Sequence, residues 1–93
     1  MEYTVRHDES VCRFETTVEG HTGYVEYVLL PDGAIDIRHT IVPRAIEGRG
    51  VAAALMKQTL EYVRAKGWKA IPSCSYARAY ILRHPEYADL QRA

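Results

Sequence analysis

Two glycines separated by one residue, Gly48 and Gly50, stand in the stretch EGRGVA, directly before a long segment of helical periodicity. A helix start presents unpaired amides and roughly half a positive charge, and glycines let a ligand's oxygens come close to the backbone. The ligand class this pattern suits is a phosphate group. The loop lacks the Lys and Ser/Thr of GxxxxGK[ST], and it follows a run of strands instead of opening a strand–helix–strand repeat, so two common nucleotide motifs do not fit. Glycines before a helix also relieve a tight strand-to-helix turn, and spacing alone does not separate the two readings. His39 precedes this loop near the end of a strand-like stretch, where a neutral imidazole can take a proton or serve as a structural hydrogen-bonding group. His7, His21 and His84 show no ligand spacing with one another or with Cys12 or Cys74; surface or capping roles are expected for them, and no metal.

The elements that must position these residues fall into two blocks. Tyr3 to His7, Cys12 to Val18, Gly23 to Leu30 and Ala34 to Val42 are rich in β-branched and aromatic residues with apolar/polar alternation, which predicts four strands in sequence order. Short connections such as PDG (Pro31 to Gly33) make them an antiparallel meander. From Val51 the period changes to three and four residues: Val51, Leu55, Met56, Thr59, Leu60 and Val63 form one stripe, and Gly67 marks its stop. Trp68 to Pro72 reads as a fifth strand parallel to the fourth, because a helix returns the chain to the sheet. A last helix is expected at Tyr76 to Arg83, ending before Pro85.

Composition narrows the function classes. Ninety-three residues suit one compact domain, residues 1–93, and 12 Lys plus Arg against 12 Asp plus Glu create no net field for nucleic acid or an anionic membrane. Apolar runs such as VAAALM are too short to span a bilayer, the N-terminus lacks the order of a signal peptide, and two cysteines form no disulfide framework. A cytoplasmic protein with reduced thiols is expected.

The stretch EGRGVA resembles the pyrophosphate loop of the GNAT superfamily, the Gcn5-related N-acetyltransferases, whose pattern is Gln or Arg, two residues, Gly, one residue, then Gly or Ala. Gly50 and Ala52 match, and Glu47 departs from the pattern. Main-chain amides supply most of such a grip, so the departure leaves the loop competent if Glu47 points away or meets Arg44 or Arg49. The element order resembles the same superfamily from about Ala34 to Tyr87. His39-Thr40 before the loop and IPSCSYARAYILRHPEY after the fifth strand resemble its short single-domain, YjdJ-like subgroup. The resemblance implies an α+β, acyl-CoA N-acyltransferase-like fold: a mixed, mostly antiparallel five-stranded sheet flanked by helices. It also implies acetyl-CoA or coenzyme A as cofactor, with the pantetheine arm between splayed fourth and fifth strands. Ile41 and Val42 would meet its amides, and Gly48, Arg49, Gly50, Val51 and Ala52 its pyrophosphate.

Acetyl transfer to an amine needs a neutral nitrogen, donors for the thioester oxygen and a proton for the leaving thiolate. The resemblance places Cys74 near the cofactor's thiol end, as an acyl acceptor or proton donor; a small buried hydrophobe is the other reading. It implies a general-acid role for Tyr80, shared in principle by Tyr76, against a packing role for both. Arg78, Arg83 and Arg49 could meet the adenosine phosphates, and Glu15, Glu19 and Glu26 a cationic amine, unless these faces are simply solvated. Only HDES separates the first two strands, so the acceptor side should be open, which suits an amine on a macromolecule or a polyamine. A coenzyme A binding module without turnover is the alternative function.

Overall fold

A computed structural model describes residues 3–92. Its elements run β1 (Arg6–Asp8), β2 (Arg13–Val18), β3 (His21–Leu29), β4 (Ala34–Ile41), a 3-10 turn (Arg44–Ile46), α1 (Val51–Lys66), β5 (Lys69–Pro72), α2 (Ser75–Arg83) and a second 3-10 turn (Pro85–Leu90). The strands form one sheet in the order β1-β2-β3-β4-β5, antiparallel as far as β4 and parallel between β4 and β5. This is the mixed, mostly antiparallel α+β sheet that the sequence implies.

Local chemistry sets most boundaries. Glu19 and Gly20 both have positive φ, 51° and 80°, so β2 and β3 close through a two-residue turn whose twist matches the strands. For that reason β3 begins at His21, two residues before the expected Gly23. α1 ends at Gly67, in the left-handed region at φ 71°, whose amide returns to the Arg64 and Val63 carbonyls while Trp68 N bonds Val63 O. β1 is displaced from the expected Tyr3–His7 to Arg6–Asp8, because Tyr3 leaves the ladder and sends its hydroxyl to Arg49 O at 2.6 Å. Beyond α2, Pro85 opens the second 3-10 turn, whose Tyr87 and Leu90 are buried in the core.

Both helices pack on one face of the sheet. Phe14, Val25, Tyr27, Ile35, Ile37 and Ala70 from that face join Leu55, Met56, Leu60 and Val63 of α1 and Ala77 and Ile81 of α2 in a single core. The other face carries Arg13, Glu15, Tyr24, Glu26, Val28, His39 and Ile41, none of them buried. A bulge at Arg38 decides which β4 residues face which way: Tyr27 pairs with Ile37, yet Glu26 pairs with His39. The extra residue inverts the alternation, so Thr40 faces the helices and His39 faces away.

His7 is not a surface or capping residue. It is half-buried, stacked on Phe14 at 4.0 Å, edge-on to Tyr62 of α1, and its Nε2 lies 2.6 Å from Tyr27 Oη. Burial pushes the Tyr27 hydroxyl up to about 12, so it stays protonated and shares with Nε2 a hydrogen bond whose direction follows the tautomer of the ring. Burial likewise lowers the His7 pKa, outweighing the pull of Glu9 and Asp8, and Lys66 lowers it further. Folding therefore favours the neutral ring. Its contribution is whole above the unfolded value, about 6.5, and is lost as pH falls through the lowered folded value. Stability of the wild type should fall over that window, and His7→Gln, which retains an acceptor, should flatten the fall; parallel urea curves for the two proteins would contradict this.

Gly23 lies where the start of α1 packs against the sheet. A Cβ there would lie 3.3 Å from Ile41 O and from Val51 Cγ1, and 3.5 Å from Leu55 Cδ1. Gly23→Val should therefore overpack this junction and cost about 1–3 kcal/mol. Melting should drop by about 4–8 °C for each kcal/mol in a domain of this size, and an unchanged melt would show that the helix start yields freely.

Candidate functional site

The parallel ladder of β4 and β5 runs from Ala34–Lys69 to Ile37–Pro72 and stops there. Proline has no N–H to carry a ladder forward, and the Cys74 amide instead donates to Ile37 O at 2.9 Å. β4 continues to Ile41 with β3 on one side and, among the described residues, no strand on the other, so the two strands fork. At the fork lies a cavity of about 420 Å³ lined by Thr40, Ile41, Val42, Ile46, Glu47, Gly48, Gly50, Val51, Ala52, Ala53 and Tyr76. The N-terminal ends of both helices contribute to its walls.

The loop at the head of α1 is shaped by its glycines. Gly48 and Gly50 have φ of 77° and 79°, and a Cβ on either would meet nothing within 4 Å, so the main chain there borders open space. Gly50 caps α1 without any side-chain hydrogen bond. Among the described residues, the amides of Gly48 and Gly50 donate to no backbone acceptor, and the first α1 amides are unpaired as in any helix. A run of free amides on an apolar-walled cavity is a cradle for an anion. Ile46 anchors the preceding turn in the core, and Ile46 N and Glu47 N bond Pro43 O and Arg44 O.

Of the cofactor residues expected from the sequence, Ile41, Val42, Gly48, Gly50, Val51 and Ala52 are brought to this cavity. Arg49 is in the loop, but its guanidinium turns away to Glu19 at 2.9 Å. Glu47 lines the cavity, exposed, and pairs with neither Arg44 nor Arg49 among the described ion pairs. Arg78 donates to Pro72 O and Ser73 O and so closes the end of β5.

The three expected catalytic groups are not assembled together. Cys74 is half-buried at the start of α2, with Sγ 3.5 Å from Oγ1 of Thr40, itself a cavity residue. His39 and Arg49 are absent from its hydrogen-bond partners. His39 lies across the sheet in a second cavity with Cys12, Glu26, Val28 and Arg38. Tyr80 is 7% exposed in the core, stacked on His84 at 4.1 Å and beside Tyr87. Tyr76, one helical turn earlier, is the tyrosine that reaches the cavity. Burial raises the pKa of both tyrosines, so each stays protonated at neutral pH.

Tyr76 and Thr40 therefore carry more of the site than the sequence alone suggested. The four-residue step from Tyr76 to Tyr80 puts both on one helix face, and only the depth of that face separates rim from core. The carboxylates considered for recruiting an amine are already paired: Glu15 with Arg6, Glu26 with Arg13 and Glu19 with Arg49. Among the described residues no group of three or more His, Cys, Asp and Glu could hold a metal ion, and no helix is long and apolar enough to cross a membrane.

Comparison with known proteins agrees with this geometry. The sequence matches the family described as GCN5-related N-acetyl-transferase over residues 13–90. It is 31% identical over 90 residues to Protein NATD1 of Mus musculus and of Homo sapiens, a span covering 95% of this chain and 82% and 80% of those proteins. Protein NATD1 of Xenopus tropicalis is 30% identical over 90 residues, covering 95% of this chain and 83% of its own. The NMR solution structure of a GCN5-like protein from Staphylococcus aureus superposes with a TM-score of 0.76 at 26% identity, over 99% of this chain and 90% of that one. With the forked sheet, the glycine loop at the head of α1 and a family match spanning most of its length, this chain belongs to the GCN5-related N-acetyl-transferase family.

Proposed function

We propose that the chain is an acetyl-CoA-dependent N-acetyltransferase that moves an acetyl group to an amine through an open acceptor side. The observation that carries this reading is the set of free amides at Gly48, at Gly50 and in the first turn of a 16-residue helix, opening on the β4–β5 fork. The residues fit the cofactor's pyrophosphate and pantetheine. Backbone amides from Gly48 to Ala52 would meet the pyrophosphate, and main-chain groups of Ile41, on the β4 edge that β5 leaves open, and of Val42, just past the end of β4, would meet the amides of the pantetheine arm. Bound acetyl-CoA supplies a thioester carbonyl as the acyl donor.

Transfer would form an N–C bond at the acyl carbon and break its C–S bond, with the attacking amine giving up a proton to water on the open acceptor side. The departing sulfur would take a proton from Tyr76, which is protonated, lies on the cavity wall and would regain its proton from water. Among the described residues Cys74 has Thr40 as its side-chain hydrogen-bond partner, with no base or cation bonded to its sulfur, so direct attack by the amine is favoured over an acyl-cysteine route. The uncovered sheet face and the short β1–β2 connection leave the acceptor side unenclosed, which supports a macromolecular amine or a polyamine as acceptor.

Two measurements test this reading. At Gly50, with φ 79° and open space around it, alanine adds a left-handed backbone cost of about 1–2 kcal/mol and puts a methyl group where phosphate oxygens would approach. Coenzyme A affinity by calorimetry should fall at least tenfold, about 1.4 kcal/mol. Gly67→Ala carries a similar backbone strain at the far end of α1, with φ 71°, and should bind as the wild type does. Equal loss in both variants, or in neither, would remove the cradle from the binding site.

In steady-state assays with an amine panel, Tyr76→Phe should lower kcat by about 10²-fold or more while coenzyme A affinity stays within twofold. Cys74→Ser should keep most of the rate. The reverse pattern would move the chemistry to an acyl-thiol route. Binding of coenzyme A by the wild type with no turnover on any amine would leave a binding module in place of an enzyme.

A further inference from the structure

Tyr3 lies outside the cavity, on a segment before the first strand, yet its hydroxyl donates to Arg49 O at 2.6 Å across 46 residues of sequence. That carbonyl belongs to the peptide unit joining Arg49 to Gly50. The unit is planar and trans, so fixing the carbonyl on one side aims the Gly50 amide to the other. Gly50 lines the cavity and Tyr3 does not. Little else holds this plane. Gly50 tolerates both signs of φ, no side chain caps α1, and nothing stands within 4 Å of where a Gly48 or Gly50 Cβ would be. A flip of the Arg49–Gly50 peptide would replace a donor in the cradle by a carbonyl oxygen, which repels a phosphate. On the same residue, Glu19 at the β2–β3 turn holds the Arg49 guanidinium at 2.9 Å. Arg49 is thus tethered at its backbone by one element and at its side chain by another.

We infer that Tyr3 is a positioning residue of the anion cradle: its hydroxyl locks the Arg49–Gly50 peptide in the orientation that presents the Gly50 amide to the ligand. The inference rests on the cofactor reading above for its ligand and on the loop geometry alone for the lock. The lock depends on the hydroxyl and not on the ring. Phenylalanine and leucine at this position should then behave alike, whereas a packing role would be satisfied by phenylalanine and lost only with leucine.

The test combines a structural and a kinetic readout on the full chain. In ¹⁵N-edited NMR of the unliganded protein, Tyr3→Phe should shift or broaden the Gly50 amide signal through exchange between peptide orientations, with the signals of α1 beyond its first turn unchanged. Coenzyme A should bind Tyr3→Phe and Tyr3→Leu three- to tenfold more weakly than the wild type, with KM for acetyl-CoA raised by a similar factor and kcat unchanged. A Gly50 signal identical in position and width to that of the wild type would overturn the lock. So would wild-type affinity in Tyr3→Phe alongside weakened binding in Tyr3→Leu. If the wild type binds no coenzyme A, the cofactor reading fails, while the Gly50 signal still decides whether Tyr3 sets the peptide.

Discussion

Parallel pairing of β4 with β5 lasts four residues because Pro72, opposite Ile37, cannot donate a ladder hydrogen bond. The Cys74 amide takes the final bond to Ile37 O, which turns the chain out of the sheet and into α2. From that one interruption follow the fork, the unpaired stretch of β4 and the placing of the α2 start opposite the α1 start. A ladder extended by four more residues would fill the space now lined by Thr40, Ile41 and Tyr76. Leaving that edge of β4 open forgoes strand hydrogen bonds on one side, a cost that a ligand with its own amides can offset.

Two local irregularities bring side chains to that opening. The Arg38 bulge inverts β4, so Thr40 enters the cavity and meets Cys74, while His39 is carried to the far side. Gly23, where a side chain would crowd both Ile41 O and Val51, lets the head of α1 pack on the sheet beside the end of β4, and both line the cavity. The site thus depends on a missing donor, an extra residue and a missing side chain, each at a strand and each within reach of a single helix start.

With both helices on one face, the sheet has a single core and a bare side. The bare side is a lattice of opposite charges, including Arg13 with Glu26 and with the Tyr24 ring 4.0 Å away, so it projects little net field. Recognition of an acceptor there would rest on shape and local hydrogen bonds more than on long-range attraction. The aromatic layer on the covered side serves a separate purpose, since His7, Phe14, Tyr27, Tyr62 and Trp68 join the short β1 strand to α1. Tyr62 Oη also reaches Glu9, beyond the end of β1.

By itself the sequence determined the element order, the sheet's mixed character, the helical stripe of α1 with its Gly67 stop, and the glycine loop, because each is written in spacing within a few residues. Period-two and period-four patterns and turn glycines act locally, so they survive without knowledge of distant neighbours. What only the tertiary structure decided are the features that join residues far apart in the chain. A one-residue bulge moved His39 from the expected site to the opposite face, and helix depth separated Tyr76 from Tyr80 although their spacing is shared. Tyr3 read as the start of a strand until its hydroxyl met Arg49, and His7 read as surface until α1 folded over it. The reason is common to all four: alternation along a chain gives relative orientation only, and which side is buried, and how deeply, depends on what packs there.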